Sequence, residues 1–119
     1  MAVTQVQYFS RALKRSVTFT AIIPFDNPES GNWPEKGPFK TLYLLHGVFG
    51  THTDWLYRTR IPVLAEQKRV AVVMPSGDNF FYLDQPAVGA MYGEFIGREL
   101  VEVTRALFPL SRRRDDTFM

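Results

Sequence analysis

The chain contains no cysteine, so it has neither a disulfide framework nor thiolate chemistry, and this fits a cytoplasmic setting. Histidine is nearly as scarce, with only His46 and His52. A catalytic zinc takes three protein ligands, often two or three of them histidine, and His46, His52, Asp54 and Asp78 do not offer that spacing. No metal and no other cofactor is expected. Excess charge is also small: 14 basic and 12 acidic residues leave a formal charge of +2. The one basic cluster, Arg112-Arg113-Arg114, runs straight into Asp115 and Asp116, which is no extended face for nucleic acid. Long apolar runs are missing too, none approaching the ~18 residues that cross a bilayer. Met1 to Gln7 lacks the basic and apolar regions of a signal peptide, so no membrane association is expected. A nucleophile elbow is also absent. None of Ser10, Ser16, Ser30, Ser76 and Ser111 stands in Gly-x-Ser-x-Gly, and no histidine follows Ser76 to act as its base.

What is present is a chain of 119 residues, 45% hydrophobic and 14% aromatic, enough for one small packed domain. Val3 to Ser10 and Arg15 to Pro24 alternate in the manner of strands, the second placing Val17, Phe19, Ala21 and Ile23 on one face, and a hairpin is expected. Phe25 to Pro38, with three prolines and two glycines, is a loop. Lys40 to His46 carries four consecutive apolar residues, Leu42 to Leu45, and Val70 to Pro75 repeats the signature of a strand covered on both faces. Between them Asp54 to Arg69 reads as helix, with Pro62 restarting it at an early position of a second segment. This is a βαβ unit. Ser76 to Ala90 reads as loop. Met91 to Phe108 reads as an amphipathic helix with its stripe on Tyr92, Ile96, Leu100, Val103 and Leu107, and Thr117-Phe118-Met119 as the opening of another buried strand.

In an open parallel sheet, ligands sit beyond the carboxyl ends of the strands. His46-Gly47-Val48-Phe49-Gly50 leaves one such end and Ser76-Gly77-Asp78-Asn79 the other. Glycine-flanked turns of this kind can aim backbone N–H groups at developing negative charge, and the N–H of Val48 is the natural donor, with His46 orienting the turn through its ring. The competing reading is a plain strand terminus with a satisfied histidine. Asp78 and Asn79 are either turn formers or substrate contacts. Phe49, Trp55 and Tyr92 either wall an apolar pocket or belong to the core. His52 and Asp54 are read as capping the helix that follows, with Thr53 or Asp54 accepting from its first N–H groups.

Taken in order, Lys40 to Gly50, Thr53-Asp54-Trp55, Val72 to Asn79, and Tyr92-Gly93-Glu94-Phe95-Ile96 with Glu99-Leu100 resemble the N-terminal part of the esterase D and tributyrin esterase group of α/β-hydrolases, relatives of S-formylglutathione hydrolases and feruloyl esterases. The resemblance runs through nearly the whole chain. It implies that residues 1–119 form one partial α/β-hydrolase domain, an antiparallel hairpin joined to parallel βαβ strands, truncated before the nucleophile strand. It implies a serine carboxylesterase acting on short-chain acyl esters or thioesters through an acyl-serine intermediate. Only the oxyanion turn (His46, Gly47, Val48, Phe49, Gly50) falls within this chain, with Val48 as donor. Serine, base and orienting acid have no counterpart here, so the chain alone is expected to be inactive. The implied sheet order puts the His46 strand between the Val70 strand and the one that Thr117 begins. If that last strand is missing, an apolar edge is open to a separate C-terminal part or a second copy, and a homo-oligomer is expected. The alternative function is a non-catalytic module that pairs through this edge.

Overall fold

The computed structural model describes residues 1–46, 51–53, 55–56, 59–76, 84–85 and 90–119. The hairpin forms as expected: β1 (Ala2–Ser10) and β2 (Arg15–Ile23) pair antiparallel from Ala2 opposite Ile23 to Ser10 opposite Arg15. Its reversal is closed by Lys14 in the left-handed region, at φ 56°. β3 (Lys40–Tyr43) and β4 (Val70–Pro75) are parallel, Lys40 to Tyr43 lying opposite Val70 to Val73. The crossover between them includes helical Trp55 and Leu56 and helix α1 (Ile61–Lys68), which Pro62 enters within its first two positions as the sequence predicts. α1 ends on Arg69 in the left-handed conformation.

β4 is the middle of the molecule. It pairs antiparallel with β2 on one side and parallel with β3 on the other. Ala71, Val72, Val73 and Met74 are all 2% exposed or less, which explains the unbroken apolar run. Alternate residues of this run enter two different cores. Ala71 and Val73 face Phe19, Ala21, Tyr43, Tyr92, Phe95, Ile96 and Leu100, whereas Val72 and Met74 face Ile22, Ala65, Trp55, Leu56 and Ile61. Helices therefore cover both faces of the sheet. Each fully buried Val or Met contributes about 1.5–3 kcal/mol.

The segment from Ser76 to Ala90 is not wholly loop. Asp84–Gln85 (β5) and Ala90–Met91 (β6) form a small antiparallel ladder, too short for a two-residue period to show in sequence. The long helix follows as α2 (Tyr92–Glu94), a π-helical turn (Phe95–Glu99) and α3 (Leu100–Leu107). The expected stripe on this helix needs correction. Tyr92, Ile96 and Leu100 are buried, but Phe95 and Thr104 join them, Val103 is only partly covered and Leu107 is 54% exposed. A π-turn adds a residue to the helical repeat, so a period taken from regular helix loses register across it.

That turn also brings Glu99 down onto the hairpin. Its Oε2 accepts hydrogen bonds from Tyr8 Oη at 3.1 Å and Ser10 Oγ at 2.6 Å, while Oε1 accepts the N–H groups of Arg11 at 2.6 Å and Ala12 at 3.1 Å. Burial first, and the Glu99 carboxylate second, hold the Tyr8 hydroxyl well above the usual tyrosine range. A second polar link crosses the core. Thr104 Oγ1 donates to the Leu100 carbonyl at 2.8 Å, leaving its lone pair for the Tyr43 hydroxyl at 2.7 Å.

The charged connector after the helix is ordered by its own hydrogen bonds. Phe39 N–H bonds Pro109 O at 2.9 Å, and Ser111 N–H bonds Phe39 O at 2.8 Å. The approach is so close that a Cβ on Gly37, at φ +75°, would lie 2.6 Å from Pro109 O. Ser111 Oγ donates to Asp116 at 2.7 Å across a 3₁₀ turn (Arg114–Asp116), and β7 (Thr117–Phe118) then pairs parallel with β3, Thr41 opposite Thr117 and Leu42 opposite Phe118. The five-stranded order is β1-β2-β4-β3-β7, which puts β3 between β4 and β7 as the resemblance implies. The expectation of an open β3 edge is thereby narrowed, because two residues of β7 already cover its start.

Two predictions follow from these contacts. Glu99→Ala strands several donors of the β1–β2 turn and should lower stability by about 2–3 kcal/mol, read as a lower urea midpoint at unchanged slope. Thr104→Val should cost about 1–3 kcal/mol by orphaning the Tyr43 hydroxyl, and adding Tyr43→Phe should recover most of that loss.

Candidate functional site

β3 and β4 run parallel, so their carboxyl ends open on the same side of the sheet. His46 lies just beyond β3 and is 6% exposed. Ser76 lies just beyond β4. Gly47, Val48, Phe49 and Gly50, and likewise Asp78 and Asn79, fall outside the described residues, as does Asp54.

Beyond these residues, Thr51, His52 and Thr53 are described. His52 hydrogen-bonds across the sheet. Its Nδ1 lies 2.8 Å from Thr20 Oγ1 on β2. Thr20 sits opposite Met74 in the β2–β4 pairing and is fully buried. His52 thus reaches past β4 to the next strand in the sheet, where it satisfies a hydroxyl that has no access to water. Burial first, then the neighbouring His46, lowers the His52 pKa below the ordinary imidazole value. His52, on the segment after β3, and Ser76, after β4, line one cavity, so the two strand-end segments are neighbours as expected.

Before residues 47–50, the Leu45 carbonyl accepts the Trp55 indole N–H at 2.9 Å. Thr51 and Thr53 share a hydroxyl hydrogen bond at 2.9 Å, and Leu56 N–H bonds the Thr53 carbonyl at 3.1 Å. The Thr53 carbonyl thus accepts one of the first N–H groups of the helical segment.

Two of the three aromatic candidates for a pocket wall, Trp55 and Tyr92, are separated by the sheet. Trp55 packs with Ile22, Val72 and Met74 on the α1 side. Tyr92 is 1% exposed on the opposite side, edge-on to Phe95 at 6.4 Å, with its hydroxyl accepting from Arg15 at 2.6 Å. Both are framework here. What does meet at the strand ends is an open cavity of about 210 Å³ lined by Arg15, Ser16, Val17, Thr18, His52 and Ser76. Among the described residues no three His, Cys, Asp or Glu side chains converge as metal ligands, and no helix is long and apolar enough to cross a membrane.

Sequence reasoning missed Thr20 and His52 as a pair and Glu99 as an anchor. Thr20 did leave a trace, as a polar residue inside the apolar run Val17 to Ile23. Glu99 left none, since its inward aim depends on the π-turn.

No protein-family model matches the chain. An acetyl esterase of Caldicellulosiruptor saccharolyticus is 42% identical over 121 residues, which take in 100% of this chain and 46% of that protein. A fluorophosphonate-binding serine hydrolase of Staphylococcus aureus superposes with a TM-score of 0.84 at 32% identity, over 98% of this chain and 45% of the other. An S-formylglutathione hydrolase of the same organism gives 0.80 at 31%, over 98% and 45%. The chain spans a little under half the length of these relatives.

His52 carries the pH dependence of this region. A histidine whose folded pKa is depressed binds a proton more readily in the unfolded chain, so stability is greatest above about pH 6.5 and declines as the pH falls toward the folded value. Urea unfolding at pH 7.5 and pH 5.5 should show this decline, and His52→Gln should show less of it.

Proposed function

Because the chain belongs to the esterase D-like group of α/β-hydrolases, we propose that it supplies the oxyanion turn of a serine carboxylesterase acting on short-chain acyl esters or thioesters. The observation that supports this best is the placement of β7. It enters the sheet parallel to β3, so the chain leaving Phe118 heads toward the same edge as the turn at His46. A nucleophile on that continuation would stand beside the turn.

In the proposed reaction the serine oxygen bonds the substrate carbonyl carbon while the carbonyl π electrons move onto oxygen. The Val48 N–H donates to that oxyanion, together with the N–H after the serine. Collapse restores the carbonyl, expels alcohol or thiol with the proton taken from serine, and leaves an acyl-serine that water hydrolyses. Gly47, Phe49 and Gly50 shape the turn, His46 orients it, and Asp78 and Asn79 lie on the loop placed to touch substrate. None of the five serines of this chain is the nucleophile in this reading, no cofactor takes part, and the setting is cytoplasmic, in keeping with the lack of cysteine.

The second reading is a non-catalytic module that pairs through its sheet edge with a second copy or a C-terminal partner.

The purified 119-residue chain should neither hydrolyse p-nitrophenyl butyrate nor react with a fluorophosphonate probe, and labelling of a 13.7 kDa band would overturn the absence of the nucleophile. In a polypeptide that continues through the serine, Val48→Pro removes the donor and should lower kcat by about 10²–10³ with little change in KM. Unchanged kcat would remove Val48 from the mechanism. If that longer polypeptide shows no esterase activity at all, the module reading stands in its place.

A further inference from the structure

We propose that β1 is a self-pairing edge: two copies of this chain join antiparallel along it, about a two-fold axis through Val6, and make one continuous sheet. The pairing is independent of the catalytic reading. It uses the edge of the sheet opposite to β7.

β1 ends the five-stranded order and, among the described residues, pairs with β2 alone. Edge strands ordinarily carry something that stops another strand from adding, such as a lysine, a proline, a bulge or simple shortness. β1 has none of these. It is nine residues long, Ala2 to Ser10, without a charged residue or a proline. Its register with β2 runs unbroken from Ala2 opposite Ile23 to Ser10 opposite Arg15, so no bulge twists it away. The strand at the other edge, β7, has only two residues.

The side chains of β1 single out the partner. Alternation puts Val3, Gln5, Gln7 and Phe9 on one face, all exposed, with Val3 at 45% and Phe9 at 66%. Val6 and Tyr8 lie on the other face and pack against the core. A two-fold axis through Val6, perpendicular to the sheet, keeps each face continuous and sets Val3 opposite Phe9 of the second copy, Gln5 opposite Gln7, Thr4 opposite Tyr8 and Val6 opposite itself. Apolar meets apolar in both outer pairs of the exposed face, and amide meets amide in both inner ones. Polarity along the strand is therefore palindromic about Val6, a symmetry that a second copy matches by necessity. No like charges meet. A shift of two residues in either direction sets Val3 against Gln7 or Phe9 against Gln5 and shortens the overlap, so the register is specified. The pairing also uses up the edge, and assembly by this route stops at two copies.

The test measures mass by sedimentation equilibrium over a dilution series of the intact chain and three variants. The intact chain should populate a species of twice its 13.7 kDa. Gln5→Lys with Gln7→Lys sets lysine against lysine twice and should raise the dimer dissociation constant roughly tenfold. Gln5→Lys with Gln7→Glu sets lysine against glutamate at the same positions and should return it to within about twofold of the intact chain. Phe118→Lys, at the opposite edge, should leave it unchanged. Far-UV circular dichroism verifies folding of each variant. Should the lysine pair misfold, amide exchange in the intact chain decides: the β1 amides that face away from β2 should exchange more slowly as concentration rises. A monomer at every concentration, a dimer that the folded lysine pair leaves intact, or β1 exchange indifferent to concentration overturns the proposal. Loss of the dimer in Phe118→Lys also overturns it, by moving the contact to the β7 edge. Esterase assays bear on the catalytic reading alone and leave this result unaffected.

Discussion

Burial of β4 on both faces and along both edges is the constraint on which the rest of the structure depends. Its four central side chains divide two and two between the cores, so neither helix layer packs without it. Its backbone hydrogen-bonds to β2 and β3 at once, which fixes their relative register. Because β2 and β3 are placed through β4, Thr20 and the end of β3 stand at a set distance apart. His52 spans that distance. The geometry at the strand ends thus follows from a six-residue strand that carries no functional group of its own.

Much of this was legible in the sequence. Consecutive apolar residues at Leu42 to Leu45 and Val70 to Met74 announce doubly covered strands, and the alternation of Val17, Phe19, Ala21 and Ile23 gives the inward face of β2. Pro62 marks the start of α1 because its ring suits only the first turn. The family resemblance extends this to sheet order and to the position of the strand begun at Thr117. The stripe on the long helix failed for an identifiable reason. Val103 and Leu107 fit a regular helical period, but the π-turn shifts that period, putting Thr104 inside and Leu107 outside. The extra residue leaves no mark in composition.

Side-chain hydrogen bonds across long sequence separations were the least legible part. Glu99 is an ordinary exposed-face residue by spacing, yet it gathers two hydroxyl and two backbone donors from the hairpin turn. His52 looks like a cap because it precedes a helix, and Thr20 looks like a tolerated polar residue in a strand. Only the sheet order shows that they meet. Trp55 and Tyr92 carry the same lesson with opposite sign: aromatic residues beside a promising turn were placed by their packing on opposite faces of the sheet.

The central strand has a consequence for the order of events as the chain emerges from the ribosome. β4 comes later in sequence than both of its neighbours, so β2 and β3 have no partner on their facing edges until residue 75 has been made. Until then only the β1–β2 hairpin can form from local contacts, while the apolar side chains of Leu42 to Leu45 wait unpaired. Sheets closed by such late, non-local pairing fold slowly and expose strand edges meanwhile.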